Sequence, residues 1–315
     1  MVTEGIEFVN AKADVVIDYL KSRELLKKEV NPSSLRIENE GKLLILQLMN
    51  GRMKEYPIRK AFLYKLLRWY KFPINQLFKL SLDTISSICN DYLMNIKRNK
   101  VILKIENQEA LSILSPDYNE ITDIEVINEV TKLGVRNISR NDFFLSIKTE
   151  DKIKIQPVKG DDFGIGINIT NSETGFRSLK VSHFLLRYIC SNGAYSKISA
   201  EEDNFKHHYG KVNLKKFLNT HIKKAEESRK QLIEKLIESN NIILNTSKEF
   251  YIKKLEPILG KKEATSLFSD FSQYQTLYEL FNSITLKAKN YDLSKRYFLE
   301  GFAGDMLLNF SQSNN

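Results

Sequence analysis

Cysteine, proline, tryptophan and long apolar runs are all scarce in this chain of 315 residues, and the scarcities exclude several classes of protein. Its two cysteines, Cys89 and Cys190, lie far apart and form no CxxC, which excludes a disulfide framework and a cysteine-based zinc site. No stretch approaches the roughly 18 apolar residues that a membrane span needs. The first residues carry Glu4, Glu7 and Asp14 where a secretion signal would place basic and then apolar side chains, so a cytoplasmic protein is expected. The nucleotide loop GxxxxGK(S/T), the nucleophile elbow GxSxG and the zinc motif HExxH are missing, which argues against ATP-driven chemistry and leaves no implied cofactor. Gly164-Ile165-Gly166 begins like a dinucleotide loop, but Ile169 stands in the third glycine position and the surrounding isoleucines alternate as in a strand.

What is present is the composition of a folded domain, 42% hydrophobic and 28% charged, with a net charge of +9. The basic excess is concentrated at the N-terminal side. Residues 1–100 hold 18 basic against 11 acidic side chains, residues 101–200 hold 12 against 13, and the remainder 18 against 15. A concentrated positive field favours a polyanionic partner. The densest part interleaves Arg52, Lys54, Arg59, Lys60, Lys65, Arg68 and Lys71 with Tyr56, Phe62, Tyr64, Trp69, Tyr70 and Phe72, opposed only by Glu55. If the part after Pro57 is helical, Lys60, Tyr64, Arg68 and Lys71 share one face. Such a face suits single-stranded nucleic acid, with cations following phosphates and rings receiving bases. The competing reading is that most of these rings are core and the lysines merely solvated.

Apolar spacing predicts a helix over 10–29 and a hairpin from 43 to 58 turning at Asn50-Gly51. Helices are expected after Pro57, more briefly after Pro73, and around 84–96, with a strand at 101–105 and a helix over 123–133. Period two then takes over, with strands at 143–147, 153–158 and 163–169. Beyond about residue 205 the pattern is helical, led by one long amphipathic helix from Leu214 to Ile237. The expected architecture is α+β: a body over 1–205 with antiparallel sheet, and a helical region over 206–315 that packs on the body or forms a homo-oligomer interface.

Divalent-metal chemistry has candidates in Asp161, Asp162, Glu173, His207 and His208, hard oxygen and imidazole ligands of the kind nucleases use. Their spacing is not diagnostic, and Gly160-Asp161-Asp162 reads equally well as a turn entering a strand. Cys190 sits in the apolar context Leu185-Leu186-Arg187-Tyr188-Ile189, as a small core residue does. Between Asn171 and Gly193, Arg177, Lys180, His183 and Arg187 bring positive charge, and an arginine fork there could clamp phosphate or hold Glu173.

The run from Gly160-Asp161-Asp162-Phe163-Gly164 through Asn171-Ser172-Glu173-Thr174-Gly175 to Cys190-Ser191-Asn192-Gly193, with His207 or His208 after it, resembles the phage/plasmid-like domain-of-unknown-function family numbered nine hundred thirty-two. Ala110 to Tyr118 resembles that family's strand and serine-x-x-tyrosine turn, although the order around Ser112 is stretched. Thr276 to Thr285 and Gly301 to Gly304 resemble its C-terminal helices. The resemblance implies a protein of a phage, virus or plasmid, and at fold level is similar to Red-beta-type single-strand annealing proteins. The expected function is therefore single-stranded DNA binding or annealing without ATP, through Arg59, Lys60, Tyr64, Arg68, Trp69, Lys71, Arg177 and Arg187. A metal-dependent nuclease and an interaction protein that inhibits a host factor are the alternatives.

Overall fold

Two small antiparallel sheets come first in the computed structural model, which describes residues 2–49, 52–149, 153–188, 192–196 and 213–309. Strand β1 (Phe8–Ala11) and helix α1 (Ala13–Ser22) lead into β2 (Leu25–Val30), β3 (Leu35–Glu40), β4 (Leu43–Leu48) and β5 (Lys54–Pro57). Helices α2 (Lys60–Trp69) and α3 (Leu82–Met94) precede the hairpin β6 (Val101–Glu106) and β7 (Glu109–Leu114). One sheet has the order β3-β4-β5 and the other β2-β6-β7. Helices α2 and α3 contribute Phe62, Leu63, Leu66, Ile85 and Cys89 to a core shared with Ile37, Leu46, Leu103 and Ile113 of the two sheets.

The helix expected over 10–29 stops at Ser22. Leu25–Val30 instead pairs residue by residue with β6, from Leu25 opposite Glu106 to Val30 opposite Val101. A free sheet edge outweighs the local apolar spacing here, because it satisfies a row of backbone groups that no local pattern predicts. The 43–58 hairpin forms as expected, with Leu48 opposite Lys54; its Asn50-Gly51 turn lies outside the described residues.

Helix α4 (Asp123–Val130) opens the second layer with a capping box, in which Thr122 and Glu125 satisfy each other's backbone amides. Strands β8 (Val135–Arg140), β9 (Leu145–Thr149), β10 (Ile153–Val158), β11 (Asp161–Asn171), β12 (Lys180–Arg187) and β13 (Asn192–Ser196) follow. With β1 they form a seven-stranded sheet in the order β1-β8-β9-β11-β12-β13, in which β10 and β9 pair with successive parts of β11. The alternating Phe163, Ile165, Ile167 and Ile169 are all buried.

Helix α5 (Leu214–Glu238) extends along that apolar row. Its Leu218, Ile222 and Ala225 join Ile167 and Ile169, together with Val16, Leu20, Val126 and Ile127 from α1 and α4. Its Leu232 and Leu236 join Phe163 and Ile165, together with α6 (Lys248–Leu259), α7 (Lys261–Leu267), α8 (Leu277–Lys287) and α9 (Leu293–Asn309). The helical C-terminal part thus packs on the sheet, and the fold is α+β. No helix among the described residues is long and apolar enough to cross a membrane.

Candidate nucleic-acid interface

Helix α2 is amphipathic in the ordinary way. Ala61, Phe62, Leu63, Leu66 and Leu67 are buried, while Lys60, Tyr64, Lys65, Arg68 and Trp69 lie outside that buried set. The helix ends in a Schellman turn: the Lys71 amide donates to the Arg68 carbonyl and the Phe72 amide to the Leu67 carbonyl. Lys71 occupies the left-handed position of this turn at φ 56°. It is exposed, but it has left the helix and no longer follows the spacing that would align it with Lys60, Tyr64 and Arg68. Trp69 is half-buried against the first core, as is Phe72.

Outside α2, two rings that spacing did not point to complete a strip. Tyr64 lies 5.8 Å from Phe143, and Phe143 lies 4.9 Å from Phe176, all three half-buried. Cations cover the strip: Lys60 over Tyr64 at 5.9 Å, Lys65 over Phe176 at 5.3 Å, and Arg68 over Phe176 at 5.4 Å. Lys60 also donates to Glu4 at 2.9 Å. Phe143 lies between β8 and β9, and Phe176 follows the Asn171–Gly175 turn, so no single stretch of sequence contains the strip. Period two opens the expected 143–147 strand on Phe143, but that strand starts instead at Leu145, and Phe176 carries no signal beyond its place after Gly175.

Besides Lys60, which pairs with Glu4, three more of the expected phosphate contacts are engaged with other parts of the protein. Arg59 is 3% exposed, and its guanidinium turns inward to Glu109 (2.7 Å), Asp142 (3.1 Å) and Glu106 (3.3 Å). Its position just before α2, with its amide held by the Ala110 carbonyl, aims the side chain at the interior. Arg187 grips Asp161 through Nε and Nη2, at 2.7 and 2.6 Å, and the Tyr278 hydroxyl donates to the same carboxylate. Arg177 lies over the rings of Phe144 (4.7 Å) and Tyr297 (4.2 Å).

The metal-ligand candidates are dispersed. Asp161 faces Arg187, while the neighbouring Asp162 is exposed and accepts from Gln156 at 2.6 Å. Glu173 lies beyond the far end of β11, roughly 30 Å from Asp161 at the usual rise of a strand. No group of three or more His, Cys, Asp or Glu side chains is gathered for a metal ion among the described residues; His207, His208 and Cys190 lie outside them.

Glu173 instead organises a buried ionic cluster. Both prongs of the Arg23 guanidinium reach it at 2.7 Å, the Asp123 amide donates to it at 2.6 Å, and Lys104 and Arg140 stand 3.9 and 3.8 Å away. Burial acts to raise its pKa, yet Lys104, the Arg23 fork and Arg140 together hold the carboxyl well below the ordinary range. Burial and the adjacent Glu173 charge push Asp123 the other way, upward. The rest of the turn is equally tied down. Tyr118 donates to the Ser172 carbonyl at 2.7 Å, Ser172 to the Phe143 carbonyl at 2.7 Å, and Thr174 to the Asp142 carbonyl at 2.6 Å. Asn171 to Gly175 therefore acts as a clamp between the β6–β7 hairpin, the start of α4 and the β8–β9 connection, and this clamp fixes Phe143 and Phe176 beside α2.

The chain matches no family model, no curated protein and no solved structure. The strip itself is cation-rich, ring-bearing and composed of segments held at fixed positions.

Proposed function

We propose that this protein binds single-stranded DNA as a binding or annealing protein of a mobile element, acting without ATP. One observation carries the reading: the run Tyr64, Phe143, Phe176 with Lys60, Lys65 and Arg68 over its rings. Bases released from a duplex can stack on such rings, each stack contributing about 1–3 kcal/mol, while the cations follow the phosphates. A paired duplex keeps its base faces stacked on one another and offers the rings little. The resemblance of the Asn171–Gly193 stretch to a mobile-element family points the same way.

Fluorescence anisotropy of labelled single- and double-stranded oligonucleotides over a salt series tests this reading. The expected result is a preference for single strands, affinity falling steeply with salt through counterion release, and intact oligonucleotides with or without magnesium. Absence of binding at low salt would refute the proposal. Magnesium-dependent cleavage would replace it with a nuclease.

A further inference from the structure

Among the described residues the fully buried cations each stand beside a carboxylate, Arg59 beside Asp142, Lys104 beside Glu120, Arg140 beside Asp123 and Lys148 beside Glu300, and a half-buried lysine on α2, Lys65, is placed differently. Its Nζ donates to the Gly175 carbonyl at 2.5 Å and lies over the Phe176 ring, and the charged group acting on it is Arg68, one turn further along α2. Leu114 and Tyr118 border the same corner: a Cβ built on Gly175 would lie 2.6 Å from the Lys65 ammonium and 3.2 Å from each of them. The Tyr118 hydroxyl is committed to the Ser172 carbonyl, and burial keeps its pKa far above neutrality. No ion pair joins Lys65 or Arg68 to an acidic side chain among the described residues.

A partly desolvated ammonium beside a guanidinium, with no counter-charge, is the electrostatic complement of a phosphate. The ammonium offers a point charge with donors beyond the one given to Gly175, and the guanidinium a planar fork. We propose that Lys65 and Arg68 together seat one phosphodiester of the bound strand, and that seating it draws a proton from solvent onto Lys65, coupling binding to pH. The inference rests on the single-strand reading and adds which phosphate contact is proton-linked.

Burial, and then the neighbouring Arg68 charge, bring the free Lys65 ammonium down to about 8. A phosphate at the same position opposes both effects and returns the lysine toward its ordinary value. The free protein therefore gives up this proton above pH 8 while the complex keeps it, and affinity falls as pH rises. For a bound value near 10.4 the loss is about tenfold between about pH 7 and pH 9.

The test is anisotropy with labelled oligodeoxyadenylate, whose bases do not titrate in this interval, at constant ionic strength for the parent, Lys65→Arg and Lys65→Met. The parent should weaken about tenfold across the interval, whereas Lys65→Arg, charged throughout, should bind equally at both ends. Calorimetry of the parent near pH 8.5, in two buffers of different ionisation enthalpy, should show uptake of about three-quarters of a proton, and Lys65→Met should lose it. The calorimetric arm on the parent needs no variant to fold. Binding with no pH dependence and no proton uptake would overturn this inference and leave the single-strand reading standing. No binding at any pH would overturn that reading and this inference with it.

Discussion

Arg23 holds Glu173 in a two-pronged ion pair, Nη1 to Oε2 and Nη2 to Oε1, each 2.7 Å, between residues 150 positions apart in sequence. The pair joins the end of α1 to the turn after β11, and through Glu106, Lys104 and Arg140 it reaches β6 and β8. A buried pair of this kind need not stabilise more than a well-packed apolar contact would. Once built, however, neither half can be removed without leaving the other uncompensated.

Glu173→Gln should therefore cost about 3–5 kcal/mol. Urea unfolding followed by circular dichroism measures it. Arg23→Met should cost a similar amount, and the double variant Arg23→Met/Glu173→Met should cost clearly less than the two singles together. A loss below about 1 kcal/mol for Glu173→Gln would show that the cluster is not the clamp described above.

The pH dependence follows from the sign of the Glu173 shift. Its carboxyl is depressed in the folded chain, so its contribution is complete above the ordinary glutamate value of about 4.3 and is lost as pH falls through the folded value. The stability gap between the parent and Glu173→Gln should be widest near neutrality and should close on acidification. Asp123, shifted upward, contributes with the opposite sign, so Asp123→Asn should lose a part of stability that grows as pH falls toward about 3.9. Denaturant midpoints across an acid series read both, and parallel curves for parent and variants would contradict the assignment.

Lys71 pays a conformational cost for ending α2 at φ 56°. Lys71→Gly should raise stability by about 1 kcal/mol, since glycine adopts this region without a Cβ clash. Thermal unfolding measures the gain. A loss of stability would mean that the lysine stem packs against something more valuable than the strain it bears.

Rings and charges of the strip should separate experimentally. Phe176→Ala should weaken oligonucleotide binding by about 1–3 kcal/mol with the salt slope unchanged, because a stack releases no counterions. Arg68→Glu with Lys60→Glu should abolish binding and leave the circular dichroism spectrum intact. Full affinity in that double variant would remove α2 from the interface.

Periodicity alone determined much of the fold. Local rules set α2 through the Leu63, Leu66 and Leu67 stripe, the β4–β5 hairpin, the alternating isoleucines of β11 and the length of α5, because each is fixed by which side chains recur at 3.6 or 2 residues. The α+β class and the basic, aromatic character of Lys60 to Phe72 were likewise legible. The end of α1 at Ser22 was not, because the edge of β6 claims Leu25–Val30 for pairing. Nor were the fates of Arg59 and Arg187, which a sequence shows only as positive charges; Glu106, Asp142 and Asp161 turn them inward from distant segments. Phe143 and Phe176 meet Tyr64 from either side of the turn that holds Glu173. Sequence thus fixed the local periods and the balance of charge. Tertiary structure decided which charges would be neutralised and which rings would meet, since both depend on contacts between residues that no local pattern relates.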